Sequence, residues 1–343
     1  MFINDLTFEE MKSYIEEIGE KKFRAQQLFT FFNKNKKWDL NSSSNLPKDL
    51  KSLPVREIKI FEEYHSKIDE TVKFLFELND GNLIEGVLLK YEHGYSQCIS
   101  TQVGCRMGCS FCASTKGGLI RNLTPSEMAG QIYLVENKLG INISNIVLMG
   151  SGEPLDNYEN VIKFFDIIHD ENGKNLSNRS ITISSCGIVP RIYDLEKLKK
   201  PINLAISLHS PFDEDRKKIM PITNRYSIEE VIAASKYYSE GTGTRITLEY
   251  TLIKDVNDRE IDADELIRIT KEIKVHVNLI PLNPIKEYNK GKTSAKGAKK
   301  FQNMLLKGGI NATIRRELGS DISASCGQLR RKRLENENSK ANW

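Results

Sequence analysis

The run Gly104-Cys105-Arg106-Met107-Gly108-Cys109-Ser110-Phe111-Cys112 places three thiols in a C-x3-C-x2-C spacing on one short loop. Thiolates so placed can each take one iron of a cubane iron–sulfur cluster. The fourth iron then has no nearby protein ligand. An open iron is a place for a small molecule to bind and for an electron to be delivered. A zinc site is the alternative reading. Structural zinc usually takes four ligands, often as two C-x2-C pairs. Here one such pair exists, Cys98, Cys186 and Cys326 are spread through the chain, and His93 would have to fold back to serve.

Outward from that loop, apolar runs and helical patterns alternate. Strands are expected at 98–103, 145–149, 180–184, 203–208, 245–252, 275–280 and 312–315, with helices filling the gaps. Thr124-x-x-Glu127 and Ser227-x-x-Glu230 are capping boxes for two of those helices. Repeated β-then-α order predicts a parallel sheet, open or closed as a barrel, with its site at the C-terminal ends of the strands. The cysteine loop follows the first of these strands. Upstream, 72–78 and 83–89 flank Asn79-Asp80-Gly81-Asn82, a hairpin signal. Before that, Thr7-x-x-Glu10 opens a helix with Phe8, Met11, Tyr14 and Ile15 at helical spacing, and further helices fit 23–32 and 46–53. The expected organisation is a helical accessory domain over 1–52, a β extension over 53–90, an α/β core over 91–330 and a basic tail over 331–343.

The 343 residues are 39% hydrophobic and 28% charged, the balance of an ordinary globular protein. No apolar run approaches membrane-spanning length, and Met1-Phe2-Ile3-Asn4-Asp5 does not begin a secretory leader. Six cysteines, half of them in one loop, are too few for a disulfide scaffold. A cytoplasmic, reducing setting is expected. Net charge is +4. The basic residues gather as Lys34, Lys36 and Lys37, as Lys286 to Lys300, and as Arg330, Arg331, Lys332 and Arg333. Any one patch reads equally well as solvated surface, but three together point to a polyanionic partner.

With Phe111 just before its last cysteine, the loop resembles that of the radical S-adenosylmethionine (SAM) superfamily. The resemblance implies a 4Fe–4S cluster on Cys105, Cys109 and Cys112 whose open iron chelates SAM. One electron then splits the sulfonium and leaves a 5′-deoxyadenosyl radical. Met149-Gly150-Ser151-Gly152-Glu153-Pro154, alone an ordinary glycine turn, then resembles the superfamily's Gly-Glu-Pro loop for the methionyl amino group. Further motifs follow in order: Cys98 to Gly104, Asn122-Leu123-Thr124, Ser184 to Pro190, Ser207-Leu208-His209, Leu279 to Pro284 and Cys326-Gly327-Gln328-Leu329. Together they resemble the RlmN/Cfr family of adenosine methyltransferases over nearly the whole chain, and so imply a radical SAM partial (β/α)6 barrel with a helical N-terminal domain and a β-hairpin extension.

The family's target is an electron-poor ring carbon of adenine, which cannot attack a methyl sulfonium. By resemblance, Cys326 takes a methyl from one SAM, and a second SAM supplies the radical that activates that methyl. Cys98 then releases the product by forming a disulfide with Cys326, and Glu85 removes the ring proton. Gly152, Glu153, Ser184, Ser207, Leu208, His209 and Asn283 are implied to line the SAM site. Singly, each has a plainer reading: Cys98 a buried strand cysteine, Cys326 and Asn283 turn residues, Glu85 a solvent-facing strand residue, His209 a core histidine. Ser151 stands where the family has Met, and Ser325 where it has Ala. Glu153-Pro154, Gln102-Val103-Gly104 and Phe23 to Gln27 resemble the RlmN form, which implies methylation of C2 in 23S rRNA and in tRNA. The Cfr form, acting at C8, is the alternative. An electron donor such as flavodoxin or ferredoxin is implied, as is an adenosine presented unstacked. Two other classes stay open: a radical enzyme acting on a peptide or small molecule, and a non-catalytic zinc protein that binds RNA.

Overall fold

The structure, a computed structural model, describes residues 1–283, 288, 290–322 and 324. The expected catalytic Cys326 and the basic cluster Arg330 to Arg333 lie outside the described residues, as does Lys286. No described helix is long and apolar enough to cross a membrane.

Twelve strands are described: β1 (Ile58–His65), β2 (Val72–Leu78), β3 (Leu83–Tyr91), β4 (Gly94–Cys98), β5 (Gln102–Gly104), β6 (Leu119–Asn122), β7 (Ile143–Leu148), β8 (Ile181–Ser185), β9 (Asn203–Ser207), β10 (Ile246–Leu252), β11 (Val275–Pro281) and β12 (Asn311–Ile314). The helices are α1 (Phe8–Glu17), α2 (Phe23–Asn33), α3 (Lys48–Lys51), α4 (Pro125–Leu139), α5 (Tyr158–His169), α6 (Val189–Lys197), α7 (Asp213–Ile219), α8 (Ile228–Thr242), α9 (Glu260–Thr270) and α10 (Ala295–Lys307). One ten-stranded sheet runs β1-β2-β3-β4-β7-β8-β9-β10-β11-β12. Its first four strands are antiparallel, and every neighbouring pair from β4 onward is parallel. Each parallel strand from β4 to β11 is followed by at least one helix, the alternation that forces a parallel crossover. The expected α/β architecture, parallel strands with helices between them, is therefore present, with the hairpin strands extending the same sheet.

Two strand expectations need correction. The expected strand 98–103 is two pieces. β4 ends at Cys98, and the chain then leaves the large sheet to pair β5 with β6 in a separate ribbon. It leaves because its hydrogen bonds are taken elsewhere: the Thr101 and Gln102 amides both donate to the Ser151 carbonyl, at 2.9 and 3.1 Å. The sequence reading also passed over β1. That strand holds Lys59, Glu62 and Glu63 and lies at the sheet edge, where charge discourages pairing with another chain and hides the alternation.

The main core lies between the sheet and its helices and includes Ile146, Ile183, Leu204, Leu248 and Val277 from the strands and Ile132, Phe164, Ile192, Val231 and Leu266 from the helices. The N-terminal helices close a smaller core of Met11, Ile15, Leu28, Phe29 and Phe32, joined by Ile167 of α5. Polar ties fasten this module to α4: Asp5 accepts from the Ser126 amide at 3.1 Å and from its hydroxyl at 2.6 Å.

Buried Gln131 on α4 holds the point where the chain leaves the sheet. Its side chain accepts the Ser100 amide at 2.9 Å and donates to the Ser100 carbonyl at 3.0 Å. Replacing Gln131 by Leu strands a buried donor and a buried acceptor, each costing about 1–3 kcal/mol. Gln131→Leu should therefore lower unfolding stability by about 2–6 kcal/mol in denaturant titration. A loss of under about 1 kcal/mol would show that Ser100 finds other partners.

Candidate active site

A cavity of about 490 Å³ opens at the C-terminal ends of the parallel strands. Cys98, Cys105, Cys109, Cys112, Gly152, Glu153, Ser184, Ser207, His209 and Asn283 all line it. Residues far apart in sequence are thus gathered on one wall system, as the strand order requires. Leu208 is placed differently. Its side chain is fully buried in the main core, its amide donates to the Glu249 carbonyl, and its carbonyl accepts from Arg216.

The cysteine loop is pinned at both ends. Gly104 has φ +77°, and a Cβ there would lie 2.0 Å from the Gly118 carbonyl oxygen, so only glycine lets the two ends close. The Cys105 amide donates to that same carbonyl at 3.0 Å. Within the loop the Thr115 hydroxyl lies against the carbonyls of Cys109 and Cys112, at 3.2 and 2.9 Å. Burial pushes the Cys105 thiol up to about 12 and pushes Cys109 up as well. Such thiols are neutral by themselves, and a bound metal centre is what makes their thiolates favourable. Among the described residues no three Cys, His, Asp or Glu side chains form a group able to hold one metal ion. A cluster that takes one thiolate per iron does not need its sulfurs to converge on a point, so this donor set fits a cubane.

The glycine loop packs against the strand that leads into the cysteines. A Cβ on Gly150 would lie 2.6 Å from the Ile99 carbonyl oxygen, and one on Gly152, at φ +109°, would lie 2.6 Å from the Gln102 Cβ. Beside Gly152 sits the Thr101 hydroxyl oxygen, buried and with no hydrogen-bond partner among the described residues. Gly150, Gly152 and Glu153 themselves line the cavity, so packed in this way the loop presents its backbone and one carboxylate where the methionyl end of a SAM molecule would fit. Glu153 is buried, and burial raises its pKa although its carboxylate accepts from the amides of Leu155 at 3.1 Å and Cys186 at 2.8 Å. Cys186, to which the sequence reading assigned no role, thus lines the cavity and orients Glu153 through its backbone. Ser151, the residue that departs from the family pattern, is buried. Its amide donates to the Ser100 hydroxyl at 2.9 Å, so its backbone carries the contact.

On the far strands, the Phe111 and His209 rings meet edge-on at 4.9 Å. His209 has φ +57°, and its Nδ1 accepts the Thr251 amide at 2.9 Å. The ring proton therefore sits on Nε2. Burial, helped by the Arg216 charge, pulls its pKa down to about 3. Fully buried Arg216 donates to the carbonyls of Leu208, Cys186 and Ser207 at 2.9, 2.7 and 3.0 Å, knotting the ends of β8 and β9 together. Buried Glu249 also lines the cavity, with both carboxylate oxygens on the Asn278 amide. The sequence reading missed both residues. Arg216 hid in the charged run Asp213 to Lys218, which reads as solvated surface. Glu249 did leave a signal, a carboxylate inside the apolar strand Ile246–Leu252.

Along β3, Val87, Leu89 and Tyr91 line the cavity, and the two-residue period puts Glu85 on that same face. Glu85 is buried, with one carboxylate oxygen 3.8 Å from Lys73 Nζ. Cys98 pairs across with Val87 and packs with Val87, Leu89, Leu318 and Ala324. Of the expected basic patches, Lys36 is bridged to Glu136 at 2.7 Å, and Lys292 and Lys300 are bridged to Glu317 and Glu260.

Two family models match this chain. The model for the radical SAM superfamily covers residues 99–267, and that for the ribosomal RNA large subunit methyltransferase N-terminal domain covers residues 2–54. The chain is 54% identical over 339 residues to an Alkaliphilus metalliredigens protein named "Probable dual-specificity RNA methyltransferase RlmN", covering 98% of this chain and 96% of that one. A Lachnospira eligens protein of the same name is 50% identical over 342 residues, covering 97% of each. Among solved structures, a radical SAM methyltransferase from Sphaerobacter thermophilus superposes with a TM-score of 0.91 at 40% identity, over 96% of this chain and 98% of that one.

His209 has its pKa depressed in the fold, so its neutral form is the one the fold stabilises. That stability is complete above the unfolded value of 6.5 and is lost as pH falls toward about 3. Relative to His209→Asn, the wild type should lose about 1.4 kcal/mol of unfolding free energy per pH unit across that window. Parallel pH profiles of the two proteins would contradict the neutral-histidine assignment.

Proposed function

The chain belongs to the RlmN family of radical SAM RNA methyltransferases, and from that premise we propose that it methylates C2 of an adenosine in 23S rRNA and in tRNA through a methylated cysteine. The observation that carries this reading is the surrounding of Cys98. This thiol lines the same cavity as the three loop cysteines and packs against Ala324, two residues before Cys326. Neither a zinc protein nor a simple radical initiator has a use for the Cys98 thiol at that place.

The Cys326 thiolate displaces methyl from one SAM: a carbon–sulfur bond forms at the cysteine, the sulfonium bond breaks, and S-adenosylhomocysteine leaves. When bound on Cys105, Cys109 and Cys112, the cluster supplies the electron, received from a donor of the flavodoxin or ferredoxin class, that cleaves a second SAM and so activates the cysteine-borne methyl for bonding to the ring. Glu153, Ser184, Ser207, His209 and Asn283 hold SAM by hydrogen bonds, with His209 offering its Nε2–H. Glu85 accepts the proton that leaves the ring carbon. The hydrogen taken from the cysteine-borne methyl leaves in 5′-deoxyadenosine, and one electron is given back as the new carbon–carbon bond settles. The Cys98 thiolate then attacks the Cys326 sulfur: the sulfur–sulfur bond forms, the cysteine–carbon bond breaks with its electron pair on carbon, and that carbon takes up a proton to complete the methyl of the departing base. A disulfide remains, which a thiol reductant must open before the next turnover. The buried β3 face excludes water from these steps.

Mapping the methyl on RNA by mass spectrometry should place it on C2, and a methyl at C8 would overturn the positional assignment. A Cys98→Ala protein should accumulate a covalent protein–RNA adduct, and a clean release of methylated RNA would remove Cys98 from the mechanism. Cys326→Ala should carry no protein-bound methyl and leave RNA unmodified.

A further inference from the structure

We propose that the rim of the cavity holds a single-stranded RNA subsite in two parts: a stacking platform of Tyr91 and His93 for a base next to the target adenosine, and a phosphate clamp of Arg315 and Arg316. This rests on the RNA methyltransferase reading and deepens it by naming the contacts that bring RNA to the site.

Tyr91 ends β3, and Tyr91 pairs with Gly94 at the start of β4, so Glu92 and His93 form the tip of a tight hairpin. Tyr91 is 37% exposed and lines the cavity. Its ring and that of exposed His93 lie nearly parallel, 5.2 Å apart with 8° between planes. Neither ring belongs to a hydrophobic cluster of the fold. Two flat rings stacked on each other, one of them at the lip of the cavity and both outside the hydrophobic clusters, are of little use to the core. They are a ready surface for a base that has lost its neighbour in the RNA stack. An adenosine drawn into the cavity leaves its neighbour in that condition. Glu92, the acidic residue between them, makes the hairpin unsuited to phosphate and leaves base stacking as its role.

The phosphate contacts fall to the other lip. Arg315 and Arg316 directly follow β12, and both are exposed and line the cavity. Among the described residues neither guanidinium is within ion-pair distance of a carboxylate, although the Arg315 charge is near enough to buried Glu249 to offset part of what burial does to that carboxyl. That is unusual beside this cavity. Arg106 is paired with Asp156, and Glu317, the acid adjoining the pair in sequence, is taken by Lys292. Arginine is well suited to bidentate phosphate contact, and two at one lip can hold the backbone on either side of a flipped nucleotide. From there residues 317–322 cross to the β1–β2 connection, where Asp321 accepts from the Ser66 hydroxyl at 2.8 Å and the Lys67 amide at 2.7 Å. Both lips are therefore anchored to the sheet.

The test uses full-length, anaerobically purified protein loaded with its cluster, and a fluorescein-labelled RNA stem-loop with an adenosine in the loop. Affinity is measured over a series of potassium chloride concentrations. Tyr91→Ala with His93→Ala should weaken binding about tenfold or more with an unchanged salt slope, and Tyr91→Phe should bind like wild type. Arg315→Gln with Arg316→Gln should weaken binding and lower the slope of log K against log salt by about one to two. A wild type that fails to bind this RNA overturns the RNA methyltransferase reading and the subsite with it. A binding wild type matched in affinity by the aromatic variant, or in salt slope by the arginine variant, overturns the subsite alone.

Discussion

One hydroxyl joins the three segments on which the site depends. The Ser100 side chain donates to the Glu85 carbonyl at 2.7 Å and accepts the Ser151 amide at 2.9 Å. Glu85 belongs to the antiparallel hairpin strands, Ser100 to the bridge between Cys98 and the cysteine loop, and Ser151 to the glycine loop that holds Glu153. These segments come from different parts of the chain and have no reason in local propensity to meet. A single buried hydroxyl, donating once and accepting once, sets their separation, and the Gln131 side chain fixes the backbone that carries it. Buried polar groups are costly unless satisfied, so this arrangement also rejects alternatives in which any one partner is displaced.

The electrostatics of the cavity follow from the same burial. Thiols at Cys105 and Cys109 are pushed up, the Glu153 carboxyl is raised, and His209 is pulled down. Each shift favours a neutral form, which is what a poorly hydrated pocket does to isolated titratable groups. Burial lowers the Arg216 pKa in the same sense, and this buried cation is kept in place by carbonyl oxygens from two neighbouring strand ends. Its charge sits behind Cys186 and Cys109, on the side where anionic sulfur would accumulate. The site is thus prepared for a bound group that brings its own charge, and a zwitterionic sulfonium with a metal cluster meets that description.

Length and rigidity at the rim come from the edges of the sheet. The hairpin strands β1 to β4 widen it on one side. On the other, the stretch after β12 returns across the mouth to Ser66 and Lys67 through Asp321, and Leu318 before that contact and Ala324 after it are laid against Cys98. The hairpin and the returning stretch bracket one opening.

Chain order alone was enough for the parallel architecture, because alternating apolar runs and capped helices have few other ways to bury their faces. The three-cysteine loop, the glycine loop and their order were equally legible, since their chemistry depends on spacing within a few residues. Strand β1 was not, because edge charges broke its alternation, and the split of 98–103 was not, because the partner that draws the chain off the sheet is the Ser151 carbonyl, some fifty residues away. Arg216 and Glu249 became visible only in three dimensions for the same reason: a charged side chain in a charged run, or alone in a strand, carries no mark of the carbonyls or amide it will meet. The sequence by itself determined which reactive groups this protein owns. Only the tertiary structure decided which of them share a cavity and which charges stand at its lip, because those depend on contacts between segments that local sequence does not encode.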